Sequence, residues 1–148
     1  MRTLLHPAHK APALTDLALL VSRVALGVIL VAHGWQKFNE WTVAGTAGAF
    51  GDMGVPAPTV AATFVTAVEI IGGIALIIGL LTPVVAVLNM VNMLGALVLV
   101  HAENGPFVTE NGFELVLALF AGLFLVAILG AGKFSTDGLI GRSPRWAG

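Results

Sequence analysis

Residues Leu17–Lys37, LALLVSRVALGVILVAHGWQK, form an apolar run with one charge, Arg23, set inside it and His33, Gln36 and Lys37 closing it. About twenty predominantly apolar residues are what an α-helix needs to cross the hydrocarbon core of a bilayer. An arginine within such a span costs roughly 2.5–3.5 kcal/mol on insertion scales, so it demands neighbours that shield it or pair with it. Three further apolar runs supply those neighbours: Val60–Leu81, Val84–His101 and Phe113–Gly132.

Composition agrees. Of 148 residues, 57% are hydrophobic and 10% charged, with mean hydropathy +0.96. Soluble domains carry about 25% charged residues, so this chain cannot cover a soluble globule with polar groups. A net charge of −1 without a basic cluster excludes a general affinity for nucleic acid. Cysteine is absent, which excludes disulfides, thiol chemistry and thiolate-held zinc or iron–sulfur clusters. Redox activity would need a bound organic cofactor, a haem or a partner protein. Arg2 and Lys10 before the first run imitate a signal peptide. The small residues Ala47-Gly48-Ala49 lie too far beyond the run to serve as its cleavage site, so the first helix is expected to be retained.

The expected fold is therefore all-α: one four-helix membrane bundle over residues 1–148, with spans 17–37, 60–81, 84–101 and 113–132 and tails 1–16 and 133–148. Thr15 or Asp16 is placed to cap the first helix. Trp41 suits a membrane interface. Val43, Ala47, Phe50 and Met53 recur at helical spacing, which predicts a short interfacial helix. Thr82-Pro83 breaks the chain between spans two and three and makes them antiparallel neighbours. Five of the seven basic residues, Arg2, Lys10, Lys133, Arg142 and Arg145, lie in the tails. The positive-inside rule then puts both termini in the cytoplasm.

Two groups of polar residues could carry chemistry. At 1.5 Å per residue, counted from the outer helix ends, Arg23 lies roughly 21 Å deep, Glu69 roughly 15 Å and Asn92 roughly 14 Å, with Asn89 a turn deeper. Arg23 and Glu69 are expected to meet in the bundle interior with Asn89 and Asn92 in support. Such a group is either a structural network that fixes helix register or a proton path. Nearer the outer face lie His33, Gln36, Lys37, His101 and Glu114, on three helices. An imidazole beside a carboxylate could exchange protons with a quinone head group. Histidines at a membrane border are also ordinary amphipathic residues. Two histidines at similar depth could ligate haem or another metal, but no ligand-spacing motif supports it, and no metal site is expected.

Together these residues resemble the DoxX family of small bacterial membrane proteins, over roughly residues 17–137. The resemblance is carried by Arg23 with His33-Gly34-x-x-Lys37, by Met53-Gly54-Val55-Pro56, by Glu69-Ile70-x-Gly72-Gly73, by Gly79-Leu80-Leu81-Thr82, by His101, and by Asn111-Gly112-Phe113-Glu114. It implies a multi-pass protein of the bacterial inner membrane. The implied role is a redox-associated or quinone-interacting subunit in oxidative-stress or sulfur metabolism, at most a subunit of an oxidoreductase. Superoxide dismutase and a sulfurtransferase are the implied soluble partners, beside the lipid bilayer. The alternatives are a non-enzymatic anchor for such enzymes or a small proton-coupled transporter. Four short helices leave little room for a transport path unless the chain forms a homo-oligomer. The resemblance brings no catalytic residue, so the polar groups above rest on their own chemistry.

Overall fold

A computed structural model describes residues 11–141. The tail positions Arg2, Lys10, Arg142 and Arg145, on which the orientation argument leans, lie outside the described residues.

Every regular element among the described residues is helical. Helix α1 spans Pro12–Trp35, α2 Thr42–Asp52, α3 Pro58–Ile78, α4 Thr82–Ala96, α5 Glu114–Leu129 and α6 Thr136–Ile140. Three helical stretches are long and apolar enough to cross a membrane: Pro12–Glu40, Pro58–Ile78 and Thr82–Asn104. The fourth apolar helix, α5, has 16 residues, or roughly 24 Å of rise. Each helix turns one stripe inward and leaves the rest to lipid: Val21, Ile71, Val91 and Ile128 are exposed, while Leu30, Leu76, Leu123 and Val126 are almost fully buried. Lipid, unlike water, does not penalise such a surface.

Helix α1 packs against α3 and α5, α4 against α3 and α5, and α2 against α3. The α1–α3 crossing is close because glycines face each other there. A Cβ on Gly73 would lie 2.8 Å from the Gly27 carbonyl oxygen, and a Cβ on Gly27 would lie 2.5 Å from that of Gly73. Backbones approach this closely only where both residues are small. The shared core is Leu26 and Leu30 of α1, Leu76 of α3, Ala86 and Met93 of α4, and Val116, Leu119, Leu123 and Val126 of α5.

Several boundaries differ from the sequence expectation. Helix α1 begins at Pro12, so most of the supposed second half of the tail is helical, and proline sits comfortably in a first turn where its N–H is not needed. Neither Thr15 nor Asp16 caps it. Instead Asp16 is buried and its carboxylate accepts the Lys133 backbone N–H at 2.9 Å, with the Lys133 ammonium at 3.7 Å. Pro83 does not break α4 but starts it. The break comes earlier, at Gly79 (φ +71°) and Leu81 (φ +49°). The residues after α5 are not merely a polar tail: α6 folds back under the bundle. The interfacial helix expected between the first two spans is α2.

The end of the bundle where α3 passes into α4 is held by this return. Asp137 of α6 accepts the backbone N–H groups of Leu81 and Thr82, each at 2.8 Å, and so caps α4 from outside its own chain segment. The Thr136 hydroxyl donates to the Ile78 carbonyl at 3.0 Å. Partial burial opposes ionisation of Asp137, but the two backbone donors and the Arg23 charge outweigh it and hold the carboxyl below its ordinary value.

Candidate functional site

The four inward-facing polar residues are all buried, but they do not form the expected pair. Arg23 is fully buried and donates to three carbonyls: Leu76 at 2.8 Å, Ile77 at 3.3 Å and Phe134 at 2.6 Å. Leu76 and Ile77 lie in the last turn of α3, where the helix dipole is negative and carbonyls have spare acceptor capacity, the Leu76 oxygen taking the Gly79 N–H at 3.2 Å as well. Arg23 is thus a staple joining α1, the C-terminus of α3 and the segment before α6. Glu69 takes Lys37 instead, its Oε2 accepting the ammonium at 2.8 Å. The Asn92 amide donates to the other oxygen, Oε1, at 3.2 Å. Asn89 supports neither group, since its amide donates to Val85 one turn back at 3.1 Å.

The pairing follows from helix register. Gly34 lies against Glu69 and Ile70, Gly27 against Gly73 and Ile77, and Arg23 against Gly79. Ten residues of α1 separate Arg23 from His33, at the level of Glu69, or roughly 15 Å along the axis, beyond an arginine's reach. Lys37 is one turn above Gly34 and its flexible stem reaches down.

The Lys37–Glu69–Asn92 triad forms the floor of a cavity of about 450 Å³ at the end of the bundle where α2 lies. His33, Gln36, Lys37 and His101 all line it. Glu114 does not. It stands at the first turn of α5 and its Oε1 accepts the Val108 N–H at 2.8 Å, tying down the connection before α5. The walls are apolar: Leu30 of α1, Phe64 and Val65 of α3, Leu99 beyond α4 and Leu119 of α5. Helix α2 roofs the cavity with Thr46, Ala49 and Phe50, and Met53, its C-cap residue, continues the same face. An apolar chamber with a few convergent polar groups is the usual form of a small-molecule site.

Two helices change geometry where they meet the cavity. After Trp35 the chain continues as a π-helical turn, Gln36–Glu40, and after Ala96 as another, Leu97–His101. Such turns are rare and collect at functional sites. Here they carry Gln36, Lys37 and His101. No residue type announces a π turn, so sequence periodicity could not have found them. From sequence Phe50 and Met53 read only as positions of an interfacial helix and Asn111, which also lines the cavity, only as part of the resemblance, while Thr46 and Ala49 are not singled out. The spacing of Thr46, Ala49, Phe50 and Met53 was the available signal. No group of three histidine, aspartate or glutamate side chains is placed to hold a metal ion among the described residues.

Comparison with known proteins places this architecture. The sequence pattern of the DoxX family matches residues 18–102. A Bacillus subtilis protein named "Putative oxidoreductase CatD" is 34% identical over 104 residues, 70% of this chain and 74% of that one. An uncharacterised membrane protein of Mycobacterium tuberculosis is 33% identical over 125 residues, 78% of this chain and 76% of its own. The Escherichia coli inner membrane protein YqjF is 30% identical over 129 residues, 87% and 96% of the two chains. No solved structure matches the chain. With three membrane-crossing helical stretches and this match over more than half its length, the chain is a multi-pass membrane protein and belongs to the DoxX family.

Proposed function

We propose that the protein is a redox-associated inner-membrane subunit that binds a quinone-like lipid head group in the outer cavity. The observation that carries this is the convergence of His33, Gln36, Lys37 and His101 on one apolar chamber floored by Glu69 and Asn92. The charges inside cancel, Lys37 against Glu69, so the chamber suits a neutral polar ring with an apolar body. The oxidoreductase name of the Bacillus subtilis relative points the same way. The pairing that motivated a proton-coupled carrier is gone, because Arg23 is spent on backbone carbonyls. A short-tailed benzoquinone should raise the melting temperature of the purified protein. His33→Ala combined with His101→Ala should remove that shift while the bundle stays folded. If no quinone stabilises the protein, or the shift survives both substitutions, an anchor role for soluble redox enzymes takes precedence.

In this reading α5 is the fourth span of a single membrane domain. Asp16, the α3–α4 turn and α6 gather at one end, and the excess of basic residues in the tails puts that end in the cytoplasm. On a cysteine-free chain the test is simple. An impermeant thiol reagent should label Asn104→Cys from outside the cell and leave Gly141→Cys untouched, and the opposite pattern would invert the topology.

A further inference from the structure

We infer that the cavity opens sideways into the bilayer through the seam between α3 and α4, and that the apolar tail of its ligand leaves through this gap past Gly95. The inference rests on reading the cavity as a site for a quinone-like head group. It adds the route by which a tailed ligand dissolved in lipid reaches that site.

The seam is shut at one end and open at the other. Toward the α3–α4 turn the two helices touch: a Cβ on Gly72 would lie 2.5 Å from the Asn89 amide nitrogen and 3.2 Å from Val85. One turn on, the Asn92 amide holds the Glu69 carboxylate at 3.2 Å. Beyond that hydrogen bond the seam widens into the cavity. Gly95 follows Asn92 by three residues and so lies on the same side of α4, yet a Cβ built on it would meet no atom within 4 Å. Val65 and Ala61 continue the side of α3 that carries Glu69, at four-residue spacing. Gly95, Leu99, Val65 and Ala61 all line the cavity.

Exposure shows which way the cavity opens. Phe64 of α3 is 42% exposed, Val91 of α4 57% and Leu99 just beyond it 47%, and all three line the cavity. A residue that both lines a chamber and is reached from outside marks an opening. On the opposite side α1 and α5 contribute Leu30, Val116 and Leu119, all buried. A second set of exposed lining residues, Trp41, Met53 and Val108, lies at the α2 end. The seam is deeper: Gly95 stands roughly 14 Å from the Asn104 end of its membrane-crossing stretch, within a hydrocarbon layer about 30 Å thick. At that depth an opening edged by Phe64, Val91 and Leu99 admits an apolar chain and excludes a free polar molecule.

Gly95 also lacks the packing role of its counterparts. Glycine inside a helix is destabilising relative to alanine. At Gly27, Gly34, Gly72 and Gly73 close contact between helices offsets this. Gly95 makes no such contact, so what its missing side chain provides is the gap itself.

The test uses two probes with one head group, a dimethoxy-methyl-benzoquinone without a tail and decyl-ubiquinone, bound to the full chain in nanodiscs. The readout is the ratio of their dissociation constants in each variant relative to the unaltered protein, which cancels the partition of the tailed form into lipid. Gly95→Phe, which puts a ring into the gap, should weaken the tailed form relative to the tailless one by at least about tenfold. Gly95→Ala, whose Cβ meets nothing, should leave the ratio within about twofold. Met53→Trp, at the other opening, should also leave it within about twofold. If Gly95→Phe does not fold, Gly95→Leu makes the same comparison with a smaller change. If only the tailed form binds, its own dissociation constant is compared across the same variants. A ratio unmoved by the bulky Gly95 substitutions, a fall produced by Met53→Trp instead, or binding of the tailless form alone by the unaltered protein would overturn the inference and leave the cavity reading intact. Binding of neither probe would remove the cavity reading and the inference with it.

Discussion

Replacing Arg23 by methionine is expected to cost about 2–6 kcal/mol, the sum for two buried carbonyls left without a donor. Methionine fills the space but returns no hydrogen bonds, so the carbonyls of Leu76, Ile77 and Phe134 lose a donor. The Leu76 carbonyl keeps the Gly79 N–H at 3.2 Å, and each of the other two, left unpaired, costs about 1–3 kcal/mol. The loss does not stop at α1. The Arg23 guanidinium lies where a Cβ on Gly79 would be, 2.5 Å from its Nη1, and Gly79 in turn accepts the Asp137 N–H at 2.9 Å. Without Arg23 the C-terminus of α3, the turn into α4 and the return of α6 lose their common anchor. Arg23→Lys should recover only a fraction, since one ammonium cannot match the planar fork of a guanidinium on acceptors from two segments. Thermal unfolding in detergent reads this directly. A midpoint unchanged in Arg23→Met, or fully restored in Arg23→Lys, would mean the staple contributes little.

The second large effect is at Glu69. Glu69→Gln keeps an acceptor for Asn92 but strands the Lys37 ammonium, whose side chain is 14% exposed beside a carboxylate that is 5% exposed. An uncompensated, mostly buried charge should cost about 3 kcal/mol. The neutral pair Lys37→Met with Glu69→Leu should recover part of that loss, because an apolar pair carries no desolvation penalty. The same material distinguishes the two networks. Arg23→Met and Glu69→Gln should be additive to within about 0.5 kcal/mol, as expected of sites with no shared partner. The Lys37 and Glu69 substitutions should be strongly non-additive. Coupling between Arg23 and Glu69 instead would contradict the register described above.

That register shows where sequence reading worked and where it stopped. The spans were legible because about twenty apolar residues in a row have few other uses. The interfacial helix was legible in the spacing of Ala47, Phe50 and Met53. The Arg23–Glu69 pairing was misread because depths were counted from helix ends taken as level. They are not level: the first turns of α3 rise past α1 and pack on α2, so Glu69 lies near the level of His33 rather than toward that of Arg23. Glu114 was grouped with the histidines on depth alone, yet depth does not say which way a first-turn side chain points, and it turned to its own backbone. The roles of Asp16 and Asp137 were illegible for a different reason. Both carboxylates accept backbone N–H groups across the chain, over separations of 117 and 56 residues, and no local pattern encodes such a partner. The convergence of His33, Gln36, Lys37 and His101 was anticipated from their shared depth. The π turns that carry three of the four were not.

Occupancy of the outer cavity by a quinone ring is the claim on which the functional account stands, and photoaffinity labelling tests it most directly. An azidoquinone irradiated with the protein in nanodiscs, followed by peptide mass spectrometry, should mark residues of the cavity wall in Leu30–Met53 and Val91–His101. The labelling should saturate and be suppressed by excess unmodified quinone. Label confined to lipid-facing positions such as Phe124 and Leu125, or cavity label indifferent to the competitor, would contradict the account.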